Sequence, residues 1–115
     1  MDVAAHSHAA DTDLLQPEVA VTSKGAVVVA YFARSNSLVD TYLASSTDHG
    51  DHFSVDKRVN TVSWRFAAGV ATNDNSFVWI GDYQGLASAP GAIYVLWNDA
   101  RDGHLELYLA AVPEA

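Results

Sequence analysis

The sequence contains no cysteine and only six Lys and Arg residues among 115. The first absence excludes a disulfide framework and any thiolate metal site, yet leaves the compartment open, since secreted domains can also lack cysteine. The second stands against 14 Asp and Glu, giving a net charge of −8. A phosphate backbone or an anionic lipid surface would be repelled, so neither nucleic acid nor a membrane is expected as a partner. Long apolar runs are missing too. Half the residues are hydrophobic, but the longest unbroken run, Ala26 to Ala33, is far too short to span a bilayer. The opening residues, "MDVAAHSHAAD", have neither a basic start nor a long apolar core, so no signal peptide is read there. The chain is then cytosolic, already trimmed, or a piece of a longer protein. No helical period persists, and neither a Gly-rich phosphate loop nor a Ser-His-Asp order can be argued.

What is present is strand chemistry. Pro17 to Val21 alternates in part, and Ser23-Lys24-Gly25 is a turn. Ala26 to Ala33, "AVVVAYFA", is rich in β-branched and aromatic residues and reads as a buried strand. Arg34 to Leu38 is a polar turn, Val39 to Ser45 a further strand, and Phe53 to Val59 a short outer strand. These signals predict an all-β fold.

The second half repeats the plan. A shift of 66 residues pairs Tyr31 with Trp97 and Tyr42 with Tyr108, and aligns Gly25-Ala26 with Gly91-Ala92. Val27 meets Ile93, Asp40 meets Glu106, and no gap is needed from Pro17/Tyr83 to Ser45/Ala111. Like chemistry in one register over several strands marks a structural repeat. The chain divides into an N-terminal segment (1–16), a first unit (17–59), a long connection (60–81) and a second unit (82–115).

The strand ending at Ser45 is left through "SSTDHGDHF". Ser46-x-Asp48-x-Gly50-x-x-Phe53 resembles the Asp-box of sialidase-like β-propellers, also called BNR-repeat proteins. The pattern has a local reason. A carboxylate can accept hydrogen bonds from N–H groups of its own turn, glycine tolerates positive φ, and the aromatic anchors the hairpin by burial. Ser46, Asp48, Gly50 and Phe53 are therefore expected to be structural rather than catalytic. A second stretch, Gly81-Asp82-Tyr83-Gln84-Gly85-Leu86 followed by Trp97-Asn98-Asp99-Ala100-Arg101, is similar to blades of bacterial secreted sialidase-like propellers.

The resemblance spans about Pro17 to Val112. It implies two four-stranded antiparallel blades and an extracellular or periplasmic setting. It departs from the enzymes, because the Arg-Ile-Pro type motif is absent and a full arginine triad is hard to assemble from Arg34, Arg58, Arg65 and Arg101. Two blades are also too few for a ring, which needs roughly four to eight. Either the chain is a piece of a longer propeller, or copies assemble, a trimer giving a six-bladed ring. Residues 2–9 could supply the fourth strand that the second unit lacks.

Strand parity in a blade places the Asp48 turn on one end of the propeller. Asp82 and Tyr83, the turn holding Asp99 and Arg101, and the loop with Trp64, Arg65, Asp74 and Trp79 fall on the other. Carboxylates, guanidiniums and exposed rings suit a sugar, so Asp82, Tyr83, Asp99, Arg101, Trp64 and Arg65 are the candidate ligand-binding residues. The bland readings stand beside this one: Asp99 and Arg101 cap their own turn, Asp82 bonds loop backbone, Trp97 and Tyr108 are core, and Trp64, whose neighbours do not alternate, is core as readily as exposed. Asp82 and Asp99 are the one plausible carboxylate couple for a glycosidase. His6 and His8 share a strand face as metal ligands could, but a free end explains them as well, and His49 and His52 are expected in solvent. No cofactor or metal is expected. The leading expectation is a non-catalytic module that binds carbohydrate or another extracellular ligand near the propeller axis. The alternatives are a glycoside hydrolase completed by ring assembly and a purely structural assembly protein.

Overall fold

The computed structural model describes the chain except residues 1, 5–7, 55, 66–70, 73–77, 80–83 and 115, and gives only the backbone of 71, 72, 78 and 79. The described residues form ten strands and no helix. The first sheet contains β1 (Asp13–Val21), β2 (Val27–Ser35), β3 (Leu38–Ser46) and β4 (Lys57–Arg58) in that order, with β5 (Trp64–Arg65) also paired to β3. A short pair, β6 (Ala71–Thr72) and β7 (Val78–Trp79), lies within the expected long connection. The second sheet contains β8 (Gly85–Ala89), β9 (Ala92–Asp99) and β10 (Glu106–Pro113), with β9 in the middle. All pairings are antiparallel, and neither main sheet is closed or curled.

The expected turn at 34–38 tightens to two residues, Asn36 and Ser37, between the paired Ser35 and Leu38. Asn36 takes φ 56°, a left-handed conformation that asparagine tolerates better than most residues. The boundary set at residue 16 falls inside β1. There the register shifts between Leu15 and Glu18, and Gln16 adopts φ 51°. This is a β-bulge just before Pro17, which has no N–H to give a ladder.

Among the described residues the two sheets have five and three strands rather than four each. The second sheet has three strands among the described residues, and the fourth strand of the first is broken into β4 and β5. The break has a visible cause. Val59 N–H still bonds Thr41 O at 2.8 Å, but the returning bond, from Thr41 N–H, goes to the side-chain Oδ1 of Asn60 at 2.8 Å. The Asn60 amide then donates to Asp40 Oδ1 (2.8 Å) and Val62 O (2.9 Å). A buried side chain thus replaces a rung of the ladder, and the backbone turns away before rejoining β3 at Trp64.

The repeat is carried in the pairing. Val27↔Ser46 and Tyr31↔Tyr42 in β2–β3 correspond, 66 residues on, to Ile93↔Val112 and Trp97↔Tyr108 in β9–β10. Ring geometry follows: Tyr31 stacks on Tyr42 with centroids 6.0 Å apart, and Trp97 on Tyr108 at 6.1 Å.

Alternation along each strand sets which faces meet. Val28, Ala30 and Phe32 of β2, with Val39 and Leu43 of β3 and Trp64 of β5, pack against Ile93, Val95, Trp97 and Val112 of the second sheet. Val28 corresponds in the repeat to Tyr94, not Ile93, so the two sheets stack head to tail, unlike face against unlike face. The other face of the first sheet is partly covered by the N-terminal segment, where Ala4 is buried beside Tyr31, Ala33 and Ala44. The described residues of the stretch 2–9 form no strand, and β10 pairs only with β9 among the described residues.

Glu114 locks the stack at one end. Its carboxylate accepts bonds from Ser23 Oγ (2.8 and 3.0 Å), Lys24 N–H (3.2 Å) and Gly91 N–H (2.9 Å), joining the β1–β2 hairpin to the β8–β9 hairpin. Ser88 Oγ adds a bond to Val21 O at 2.8 Å. The Gly91 N–H and Ser23 hydroxyl bonds hold the Glu114 carboxyl down to about 2, from an ordinary 4.5.

Two outcomes follow from these bonds. Asn60→Ala leaves the buried Thr41 N–H without its acceptor and should cost about 1–3 kcal/mol in urea unfolding. For Glu114 the folded-state pKa is depressed, so its contribution is complete above about pH 4.5 and is lost as pH falls toward about 2. Glu114→Gln should therefore lower the unfolding midpoint at pH 7, and the gap from the parent should close at pH 2.

Candidate functional site

Both β2 and β9 leave from the end that Glu114 bridges and run to the other end. The Asn36-Ser37 turn and the β9–β10 turn consequently share the far end, while the Asp48 turn, which follows β3, lies at the Glu114 end. Each group of candidate residues can be placed on this frame.

In the β9–β10 turn, Asp99 is the last residue of β9 and is 1% exposed. Arg101 grips it from both sides: Nε donates to Oδ1 at 3.1 Å and Nη2 to Oδ2 at 2.7 Å, while the Arg101 N–H donates to Oδ1 at 2.8 Å. The Trp97 indole N–H adds a bond to Oδ2 at 3.2 Å. Burial alone would raise the Asp99 carboxyl, but the Arg101 side chain and backbone and the Trp97 indole outweigh it and hold the group below its ordinary value. Asp99 in turn raises Arg101. The guanidinium lies 4.0 Å from the centre of the Tyr108 ring, a cation–π contact. Tyr108 OH donates to Asp102 at 3.1 Å; burial and this neighbouring carboxylate push its pKa up.

Asp99 therefore has the local role weighed in the sequence. It is ionised, enclosed and saturated with donors, and it offers no face to a ligand.

The structure overturns the expectation that Trp64 is an exposed ring. Trp64 is 1% exposed and meets Phe32 edge-on at 6.1 Å, because β5 places it opposite Val39 on the core side of β3. Arg65, one residue on, points to the other face and donates to Ser37 Oγ at 3.1 Å. It is exposed and stands beside the far-end turn. Asp82, Tyr83 and Asp74 lie outside the described residues, as does the side chain of Trp79.

The Asp48 turn is bonded within itself. Ser46 Oγ donates to Asp48 Oδ1 at 2.7 Å and accepts from Gly50 N–H at 2.9 Å, and His52 N–H donates to Asp48 Oδ1 at 2.8 Å. The His52 ring meets Oδ2 at 2.7 Å. These donors, the His52 N–H foremost, hold the Asp48 carboxyl well below the usual carboxylate range. Gly50 takes φ 91° with open space around it, so the turn needs its backbone freedom and not its small size. Phe53 packs with Val3 against the cluster of Tyr31, Ala33 and Ala44. His52 is exposed, but its ring belongs to the turn.

A feature missed in the sequence lies on the outer face of the first sheet at the far end. His8, Thr12, Ser35, Asn36, Asp40 and Tyr42 line a cleft of about 210 Å³. His8 is fixed there by a 2.7 Å bond between Nε2 and Tyr31 OH, and its ring meets Tyr42 edge-on at 4.6 Å. Asp40 is braced by Asn60, by Ser63 Oγ at 2.6 Å and by Arg58 at 3.2 Å. The cleft depends on the N-terminal segment folding back over β2 and β3, which no local pattern announces. His6, paired with His8 as a possible metal ligand, lies outside the described residues, and no group of three His, Asp or Glu suited to a metal occurs among the described ones.

Comparison of the chain with known protein families, with curated proteins and with solved structures gives no match.

Removing Arg101 tests the closed reading of Asp99. Arg101→Ala strands a buried carboxylate and should cost about 3 kcal/mol in urea unfolding. Arg101→Lys keeps the charge but not the two-pronged grip, and should recover only part of that loss.

Proposed function

We propose that the chain is a non-catalytic carbohydrate-binding module, built from two blades of the sialidase-like propeller type and working in an extracellular or periplasmic setting. The blade reading is supported by two sheets that share one register and one stacked ring pair and that pack unlike face to unlike face. The Asp48 turn lies at the opposite end from the Asp99 turn, as blade parity requires.

One observation carries the binding reading: the polar cleft beneath His8. It offers hydroxyl, amide, imidazole and carboxylate groups around a tyrosine ring, the mixture that bonds sugar hydroxyls and covers a sugar's apolar face. Arg65 extends from β5 on the same side of the sheet as Asp40 and Tyr42, because its partner in β3 is Leu38. Asp82 and Tyr83, outside the described residues, are proposed as further binding residues.

The glycoside hydrolase alternative loses its described carboxylate. A glycosidase needs one carboxyl that can give a proton and another that can approach the anomeric carbon or a water. Asp99 is held ionised by Arg101 and is buried, so it does neither.

Screening on a glycan array, followed by titration of the best binder, tests the proposal. Arg65→Ala should weaken binding about tenfold and leave the unfolding midpoint in place. Asp48→Ala, at the other end, should lower the midpoint and leave affinity unchanged. Absence of any bound glycan would favour a purely structural assembly protein, and turnover of a fluorogenic glycoside would favour the hydrolase.

A further inference from the structure

The second sheet turns an apolar face to solvent. Tyr94 and Leu96 of β9 are 40% and 38% exposed, and Leu107 and Leu109 of β10 are 70% and 64% exposed. Leu96 lies opposite both Leu109 and Gly85, and Tyr94 lies opposite Ala111 and Ala87, so these side chains form one surface over three strands. Among the described residues this face carries no charged side chain, in a chain whose net charge is −8. Such surfaces mark contacts rather than free solvent boundary.

The repeat identifies what fits this face. Sixty-six residues earlier, Tyr94, Leu96, Leu107 and Leu109 correspond to Val28, Ala30, Thr41 and Leu43. Those four are buried within this chain, on the face of the first sheet turned toward Ile93, Val95 and Trp97. The residues equivalent to Ile93, Val95 and Trp97 are Val27, Val29 and Tyr31, on the outer face of the first sheet. Beside them on β1, Val19 and Val21 are 65% and 60% exposed. The molecule therefore holds one complete sheet-to-sheet contact inside and the two unlike halves of a second one outside.

We propose that the outer face of the second sheet docks on the outer face of the first sheet of another copy of this chain. A contact between unlike faces is heterologous: every copy added presents the same open face again, so the assembly closes into a ring or grows as a filament. Under the blade reading above, three copies close a six-sheet ring; the docking does not depend on that reading, and because the displaced segment carries His8, a docked outer face no longer holds the cleft proposed for sugar. The N-terminal segment occupies part of the seat, with Ala4 beside Tyr31 where the second sheet would otherwise bear. It competes with the incoming copy and must leave the seat as that copy docks.

Light scattering on the full chain and on surface variants tests the inference. Leu107→Lys with Leu109→Lys breaks one face, and Val19→Lys with Val21→Lys breaks the other. All four positions are exposed, and circular dichroism checks that each variant folds. The parent chain should self-associate with rising concentration, and each double variant alone should be monomeric. Their mixture should form a complex of one copy of each and grow no further, because one good pair of faces remains. Ala4→Asp, which unseats the segment, should shift association to lower concentration. A parent that stays monomeric at the highest soluble concentration overturns the proposal. So does a double variant that still self-associates, which would mean like faces pair, or a mixture that stays monomeric. Unchanged or weaker association of the Ala4 variant overturns the competition by the segment.

Discussion

Two sheets present four faces, and in this chain apolar side chains occupy all four. Only one pair of faces can close within a molecule of this size, and that closure organises the rest. Phe32 and Trp64 from one sheet meet Val95 and Trp97 from the other in one buried layer. Burial of large aromatic and branched side chains contributes the dominant favourable term in such a layer. Because the layer joins unlike faces, its two partners can differ in sequence while keeping one backbone pattern.

Hydrophobic burial has little directional preference, so polar bonds must fix how the sheets sit along each other. Glu114 does this at one end, by holding both hairpins with a single carboxylate. At the other end each repeat finishes its stacked ring pair in its own way. Arg101 lies over Tyr108 in the second, whereas in the first His8 reaches back from the N-terminal segment onto Tyr42. The equivalent position is thus filled once by a residue of the adjoining turn and once by a distant stretch of chain. The first solution leaves a sealed ion pair, and the second leaves a cleft.

Strand content was readable because it rests on local alternation and on a repeat without gaps. The run from Ala26 to Ala33 correctly marked a strand apolar on both sides. The run from Ala92 to Trp97 is as unbrokenly apolar, yet one of its sides is exposed in the single chain. Composition registers which faces are apolar, not which are covered. Trp64 was misplaced because β5 is only two residues long and shows no alternation. Asn60 and Glu114 were invisible for a different reason. Their partners lie 19 and about 90 residues away, and a single polar letter gives no sign of so distant a bond. The bonding inside the Asp48 turn was legible because every partner sits within a few residues.

The two sheets also differ at their rims. In β1 the bulge at Gln16 and the missing N–H of Pro17 interrupt the outward row of hydrogen-bonding groups, a device that discourages another strand from adding edge to edge. β10 runs unbroken for eight residues, with Leu107 and Leu109 on one side, and lacks such an interruption until Pro113. Disordered aggregation by strand addition would accordingly start at β10 and be halted at β1. Conditions that loosen the second sheet, rather than the first, would decide how long concentrated solutions of this protein stay clear.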